Sequence, residues 1–369
     1  MKKQKKITYS QVGDNYDTKD PIKKLALIAA AKTAINLKRN GFEEVSETRG
    51  ESAFVWKQEN TYMATMIEGL GTKNLIADET RKITGKTYYD VIGNDTIAYI
   101  INDLISVGAK PLTIHAYWAI EDNAWLADEK RMRDLITGWK NACDLSGATW
   151  GGGETPTLKQ IIVPNSIDLG GSAVGIIGPK KRLITDKKLK SRDRILLLKS
   201  NGINASGISL ARAIAKKLPK EYGTKLPSGI IYGEALLTKC NIYAKLVQDL
   251  LDNNVDIHYM NYISGHGLRK IMRARGNFTY VIEKLFEPQE VFLFIQKHAG
   301  LDDYEMYQTY NMGQDYAFFV PQKDMKKALS IIKKNGFQGM DAGYIEKGER
   351  QVIIKPKNII FKGDRLDLR

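Results

Sequence analysis

Cysteine is nearly absent from these 369 residues: Cys143 and Cys240 stand far apart, without metal-type spacing. That excludes a disulfide framework or a cysteine-built zinc site, and it suits a reducing, cytoplasmic setting. No apolar run approaches the roughly 20 residues that span a bilayer, so no membrane partner is expected. The opening MKKQKKITYS is basic but leads into no apolar stretch, so no secretory signal is expected. Histidine is scarce as well, at 4 residues, which leaves few groups that titrate near neutral pH. No Walker P-loop is present and no named nucleic-acid module is visible.

What remains is an ordinary globular composition, 43% hydrophobic and 27% charged, in a chain long enough for two domains. The 56 basic and 42 acidic residues leave a net charge of +14. The lysines are scattered in short pairs such as Lys23-Lys24, Lys187-Lys188, Lys216-Lys217 and Lys326-Lys327. Scattered pairs solvate helix faces first and attract phosphorylated ligands second; no nucleic-acid partner is expected.

Periodicity predicts a helix in DPIKKLALIAAAKTAINLKRNG, from Asp20 and Pro21 to Asn40-Gly41, then two strands around a polar turn at 58–60. VIGNDTIAYIINDLISVG reads as a helix, TIHAYWAI as a strand, EKRMRDLITGWKNACDLSG as an amphipathic helix and SIDLGGSAVGIIG as a strand. The mixed pattern then repeats: strand RILLLKS, glycine turn NGINASG, helix ISLARAIAKKL, helix EALLTKCNIYAKLVQDLLDNN, and a tail that alternates like edge strands. The expected fold is α+β, two α/β halves, 1–178 and 179–369, the second a mixed sheet with helices.

The chemistry concentrates in the first half. Glu68, Gly69, Gly71, Thr72 and Lys73 fall within the six residues EGLGTK. Asn94-Asp95 and Asn102-Asp103 lie about two helical turns apart, and Glu154 follows three glycines in WGGGETPT. Each acid alone reads as a cap or a surface charge. Together, with two glycine turns and one lysine, they suit a magnesium-bound polyphosphate. Among the histidines, His266 lies between glycines in SGHGL, a better place for function than His115 in its apolar strand or His298 near a helix end.

The blocks MIEGLGTK, IGNDTIAYIINDLISVGAKPL, GATWGGGETPT, IDLGGSAVGII, SNGINASGISLARAI, ISGHGLRKIMR and EMYQTYNMGQDYAFFVP follow in the order of the aminoimidazole ribonucleotide synthetases. The resemblance to these phosphoribosylformylglycinamidine cyclo-ligases runs from Tyr9 to Ile354. It implies a homodimer joined by a β-barrel-like interface of the first halves, with ATP and Mg2+ as cofactors and a small phosphorylated ribonucleotide as substrate; 1–178 would then be the ATP, metal and dimerisation domain and 179–369 the substrate-side domain. The implied reaction phosphorylates the formyl-amide oxygen of formylglycinamidine ribonucleotide; the amidine nitrogen then displaces phosphate and closes the imidazole ring. By resemblance Glu68 and Asp103 hold metal, with Asp95 and Glu154 completing the acidic lining. Lys73 would face phosphate, beside Gly69, Gly71, Thr72, Asn102, Gly152, Gly153 and Thr155. Lys73, Asn204 and His266 are the candidate catalytic groups.

Several positions depart from that family. Glu68 replaces its usual Asp, Asn204 its His, Ser206 its Asn, Lys239-Cys240 its Pro-Thr, and Asp315 a glycine. An Asn cannot transfer a proton near neutral pH. Three readings follow from the residues: a synthetase with altered substrate contacts, an ATP-dependent relative acting on another small metabolite, or a non-catalytic nucleotide-binding paralogue.

Overall fold

The structure, a computed structural model, describes Lys6 and residues 16–363, with the side chains of Lys6 and of residues 21–363. The basic opening and Tyr9, where the resemblance begins, lie outside the described residues, as do the last six residues of the tail. The first half contains α1 (Tyr16–Lys32), α2 (Ala34–Arg39), α3 (Lys73–Thr84), α4 (Tyr89–Leu104) and α5 (Glu129–Ser146). Its strands are β1 (Glu43–Glu44), β2 (Phe54–Gln58), β3 (Thr61–Gly69), β4 (Lys110–Ile120), β5 (Thr149–Glu154) and β6 (Ile167–Ile177), in sheet order β1-β2-β3-β6-β4-β5. The first helix begins earlier than its Asp-Pro signal, at Tyr16, so Pro21 lies inside it, and Thr33 separates it from α2.

Strand alternation decides what each face of this sheet does. On β3, β4 and β6 one set of side chains, including Ala64, Met66, Ile114, Ala116, Leu169 and Ala173, is buried. The opposite set leaves Ile67 79% exposed and Leu112 and Tyr117 each 39% exposed, with His115 on the same exposed face. α4 shows no such asymmetry: every residue of it except Asp90 is buried. A helix buried on every side belongs in an interior, and the polar residues of this one must find partners there. Here it lies between the first sheet, α5 and the second half of the chain.

That second half has β7 (Arg194–Lys199), β8 (Tyr259–Tyr262), β9 (Phe278–Ile282), β10 (Gln314–Val320), β11 (Gly339–Lys347), β12 (Gln351–Ile354) and β13 (Ile359–Lys362). Their order is β13-β12-β9-β11-β7-β10-β8, antiparallel except where β12 runs parallel to β9. Around them lie α6 (Ile208–Ala215), α7 (Tyr232–Leu236), α8 (Ala244–Asp252), α9 (Glu290–Ala299), α10 (Asp303–Thr309) and α11 (Met325–Lys334). The expected edge hairpin of the tail is present as β12–β13. The single helix expected over EALLTKCNIYAKLVQDLLDNN is instead two helices, α7 and α8, because residues 237–243 leave helical geometry to bond α4.

His258, which carries no sequence motif, ties down the start of the second half. Its Nδ1 lies 2.6 Å from Asp193 Oδ2 and its Nε2 3.1 Å from Asp256 Oδ2. Burial pulls the imidazole pKa down, but the hydrogen bonds and charges of Asp193 and Asp256 outweigh it, so the ring ends above its ordinary 6.5. A raised folded-state pKa gives stability that is complete below the unfolded value and is lost as pH rises through the folded one. Urea unfolding should therefore show a wild-type advantage over His258→Gln that is larger at about pH 6 than at about pH 8. An equal advantage at both would disprove the protonated bridge.

Candidate functional site

The turn between β3 and α3 opens onto a cleft of about 450 Å³ whose walls come from both halves of the chain. That size lies within the roughly 300–1,000 Å³ of ordinary small-molecule sites. Gly71 has φ of +74° and open space where a side chain would point, so it is the backbone bend that requires glycine here. Glu68 stands at the lip, its Oε1 accepting from the Gly69 amide at 3.0 Å. Burial raises the Glu68 carboxyl above its ordinary 4.5 and the nearby Asp103 charge adds to that, while the Gly69 amide and Lys270 oppose it.

Asp103 reaches the same cleft from the end of α4. Facing it, Lys270 donates to Ser264 Oγ at 2.7 Å and lies 3.4 Å from Asp103 Oδ1. Burial lowers the Lys270 pKa from its ordinary 10.5, with the Asp103 charge working against the shift. His266 lines the cleft from a left-handed backbone position, φ +73°. Burial, reinforced by Arg269 and Lys270, lowers its ring to about 3, so it is neutral at neutral pH and offers hydrogen bonds rather than a mobile proton. Ser206 completes the wall, its Oγ 2.8 Å from Tyr99 OH.

Behind this cleft the structure corrects several expectations. Lys73 does not face a phosphate space: it is 0% exposed, and Nζ donates to Asp95 Oδ2 at 2.5 Å, Asn204 O at 2.7 Å and Thr238 O at 3.1 Å. All three ammonium donors are engaged. Asp95 is equally occupied, since Oδ1 accepts from Cys240 N at 2.8 Å and Asn94 Nδ2 at 3.0 Å. Asn102 is no phosphate contact either; its amide bonds Asn241 O at 2.8 Å and Tyr243 N at 3.0 Å. Asn94, Asp95 and Asn102 thus do share a helix face, but they clamp residues 240–243 of the second half. Thr72 precedes α3 and makes no side-chain cap.

The second glycine turn is not a turn. Gly152, Gly153 and Glu154 belong to β5, an edge strand parallel to β4, and Thr155 follows on the exposed surface. A Cβ on Gly153 would sit 2.2 Å from Ala116 O. Close strand approach accounts for that glycine, and within this chain Glu154 lies away from the cleft.

Asn204 also points inward, 1% exposed, its Nδ2 donating to Asp315 Oδ1 at 2.6 Å. Asp315 further accepts from Tyr243 OH at 2.5 Å and Asn241 Nδ2 at 3.5 Å. Burial pushes its carboxyl up to about 6, against the pull of those donors. Two of the departures from the resembled family are therefore hydrogen-bonded to each other.

Across the chain, residues 50–177 match the family model described as AIR synthase related protein, N-terminal domain, and residues 191–355 match its C-terminal domain model. The chain belongs to the AIR synthase family. The phosphoribosylformylglycinamidine cyclo-ligase of Thermococcus kodakarensis is 31% identical over 341 residues, covering 92% of this chain and 95% of that protein. The enzyme of the same name from Pyrococcus horikoshii is 30% identical over 351 residues, covering 95% and 98%. Among solved structures, a chain of a HypE–HypF complex aligns with a TM-score of 0.60 at 16% identity, over 85% of this chain and 93% of that one. AaThiL complexed with AMPPCP and TMP aligns at 0.57 and 15% identity, over 85% and 90%. These two share the fold. The aminoimidazole ribonucleotide synthetase resemblance and the two-part α+β expectation are thereby borne out.

In this family member the cleft thus gathers Glu68, Gly69, Gly71, Asp103 and His266 of the expected site, and not Lys73, Asp95, Asn102, Glu154 or Asn204. It adds Lys270, Ser264, Tyr99 and Arg273, which the motifs did not single out. In LRKIMR a lysine between two arginines reads as surface charge, so Lys270 gave little signal beyond its block.

Proposed function

We propose that this protein is an ATP-dependent cyclo-ligase that closes the imidazole ring of aminoimidazole ribonucleotide from formylglycinamidine ribonucleotide. The observation that carries this is the cleft itself. It joins the EGLGTK turn, the end of α4 and the SGHGL turn, three blocks of the family resemblance that lie far apart in sequence. Of the positions that depart in the second half, Ser206 lines the cleft, whereas Asn204, Asp315 and Cys240 are buried behind it and Lys239 pairs with Asp90 at 2.7 Å. Departures placed there favour an altered interior over a different substrate.

Three acids line the cleft; Glu51 is paired with Arg273 at 3.5 Å, leaving Glu68 and Asp103 to face a ligand, and among the described residues no group of three or more metal-ligating side chains forms. That suits magnesium, which is commonly held by one or two carboxylates together with substrate phosphates. Glu68 and Asp103 would hold an ion that neutralises charge between the transferring phosphates. The chain's own contribution is to orient the amide oxygen and the amidine nitrogen of one substrate within a shielded cleft. Lys270 supplies a positive charge and His266 a neutral hydrogen-bonding ring.

Asp103→Asn keeps size but removes one charge. Magnesium-dependent ATP affinity should fall at least about tenfold, roughly 1.4 kcal/mol, with imidazole formation falling in parallel. Purified protein given ATP, magnesium and formylglycinamidine ribonucleotide is the decisive assay; ATP binding without ring closure would overturn the proposed substrate. The open face of the first sheet, with Ile67, Leu112 and Tyr117, is too apolar for a free surface and supports a homodimer. Light scattering at micromolar concentration should give twice the chain mass, and a monomer would refute the pairing.

A further inference from the structure

We propose that the Lys270 ammonium guards the cation site of this cleft: it occupies Asp103 until a polyphosphate arrives, so that magnesium enters only together with its nucleotide. The inference rests on the nucleotide reading above and goes beyond it by assigning an order of binding and the residue that enforces it.

Two buried lysines in this protein pair with acids on α4, and their geometries differ. Lys73 lies 2.5 Å from Asp95 and has all three donors engaged away from the cleft. Lys270 is 6% exposed and lines the cleft; its contact to Asp103 is 3.4 Å, longer than the roughly 2.7–2.9 Å of a tight charge-assisted bond. Its second partner is the neutral Ser264 hydroxyl at 2.7 Å. Its backbone is fixed, because Asn261 Nδ2 donates to Lys270 O at 3.0 Å. A firmly anchored stem thus carries a loosely held charge, with capacity for one more acceptor.

The charges define the consequence. Glu51, Glu68 and Asp103 bring negative charge to the cleft and Lys23, Lys270 and Arg273 positive charge; Glu51 is paired with Arg273 at 3.5 Å, and Lys270 is the cation that contacts Asp103. A bare divalent ion would have to settle beside that ammonium in a partly desolvated cleft, where like charges repel strongly. A nucleotide changes the balance, since its phosphate oxygens give the ammonium an anionic partner and free Asp103 for the ion. Metal and nucleotide then bind cooperatively, each improving the other's affinity by the same factor.

Calorimetry on the full-length protein tests this with three probes: Mg2+ alone, Mg2+ with a non-hydrolysable ATP analogue, and ribose 5-phosphate without metal. Wild type should bind the magnesium-bound analogue and take up Mg2+ alone only at concentrations at least about 100-fold higher. Lys270→Met should bind Mg2+ alone at least about tenfold more tightly and the magnesium-bound analogue at least about tenfold more weakly. Lys270→Arg, which keeps the charge, should still exclude the bare ion. Ribose 5-phosphate affinity should be the same in all three proteins; a selective loss in Lys270→Met would place the ammonium on the substrate phosphate and overturn the proposal. Wild type that binds Mg2+ equally well with and without the analogue refutes the ordering without any variant. Unchanged metal and analogue affinities in Lys270→Met refute the role of the lysine while leaving the nucleotide reading intact. Wild type that binds no analogue at all removes the nucleotide reading and this inference with it.

Discussion

Replacing Lys73 by methionine should destabilise the protein by about 3–5 kcal/mol, the range for breaking a buried ion pair from one side. Methionine fills much of the same volume but leaves the Asp95 carboxylate, 0% exposed, without its counter-charge. It also abandons Asn204 O and Thr238 O, two carbonyls from different segments of the second half. The loss should appear in urea unfolding monitored by Trp118, Trp139 and Trp150, which pack with ring centroids 5.2–5.9 Å apart and report on the first half. Asp95→Asn added to Lys73→Met should cost less than the sum of the two single changes, since the buried charge leaves with its partner. A stability change under about 1 kcal/mol, with nucleotide affinity abolished, would return Lys73 to the phosphate site.

The second large effect concerns the Asn204–Asp315 pair. The resembled family has a histidine and a glycine at these positions, and introducing the histidine alone should harm rather than help. A ring at 204 must enter space that Asp315 and Tyr243 already fill, and overpacking alone costs about 1–3 kcal/mol. It also removes the amide donor 2.6 Å from a buried carboxylate, a bond to a charged group worth about 1.5–3 kcal/mol. Asn204→His combined with Asp315→Gly opens that space and removes the charge. The two changes should therefore couple by about 2 kcal/mol in the favourable direction. Ring closure should follow the same order: Asn204→His with Ser206→Asn slower than wild type, and recovery only when Asp315→Gly is included. Additive effects would mean the two positions differ from the family independently.

Elements were legible where periodicity was strong and the chain neighbours were the spatial neighbours. The β2–β3 hairpin, α4, α5 and the β12–β13 edge all follow from local pattern and turn chemistry. Residues 237–243 were not legible as irregular backbone, because their hydrogen bonds go to Asn94, Asp95 and Asn102, over 130 positions away. The site was half legible for the same reason. Glu68, Gly71, Asp103 and His266 reach the cleft directly from their motifs. Lys73, Asp95 and Asn102 carry equally suggestive chemistry, but only tertiary contacts reveal that they bind protein rather than ligand. The run of glycines before Glu154 shows the limit most plainly, since a close strand approach and a phosphate cradle ask for the same residue.

The clamp of α4 on residues 240–243 has a consequence for how the molecule comes apart. Asn94, Asp95 and Asn102 hold the second half through its backbone, so no side-chain rearrangement there can release it. Arg273 adds a second strap, donating to Gly50 O at 2.8 Å and Ser52 Oγ at 3.2 Å. The peptide connecting the halves is therefore not what keeps them together. Cutting the chain between Gly178 and Arg192 would leave two fragments that stay associated and melt in one transition, and neither fragment made alone would present a finished cleft.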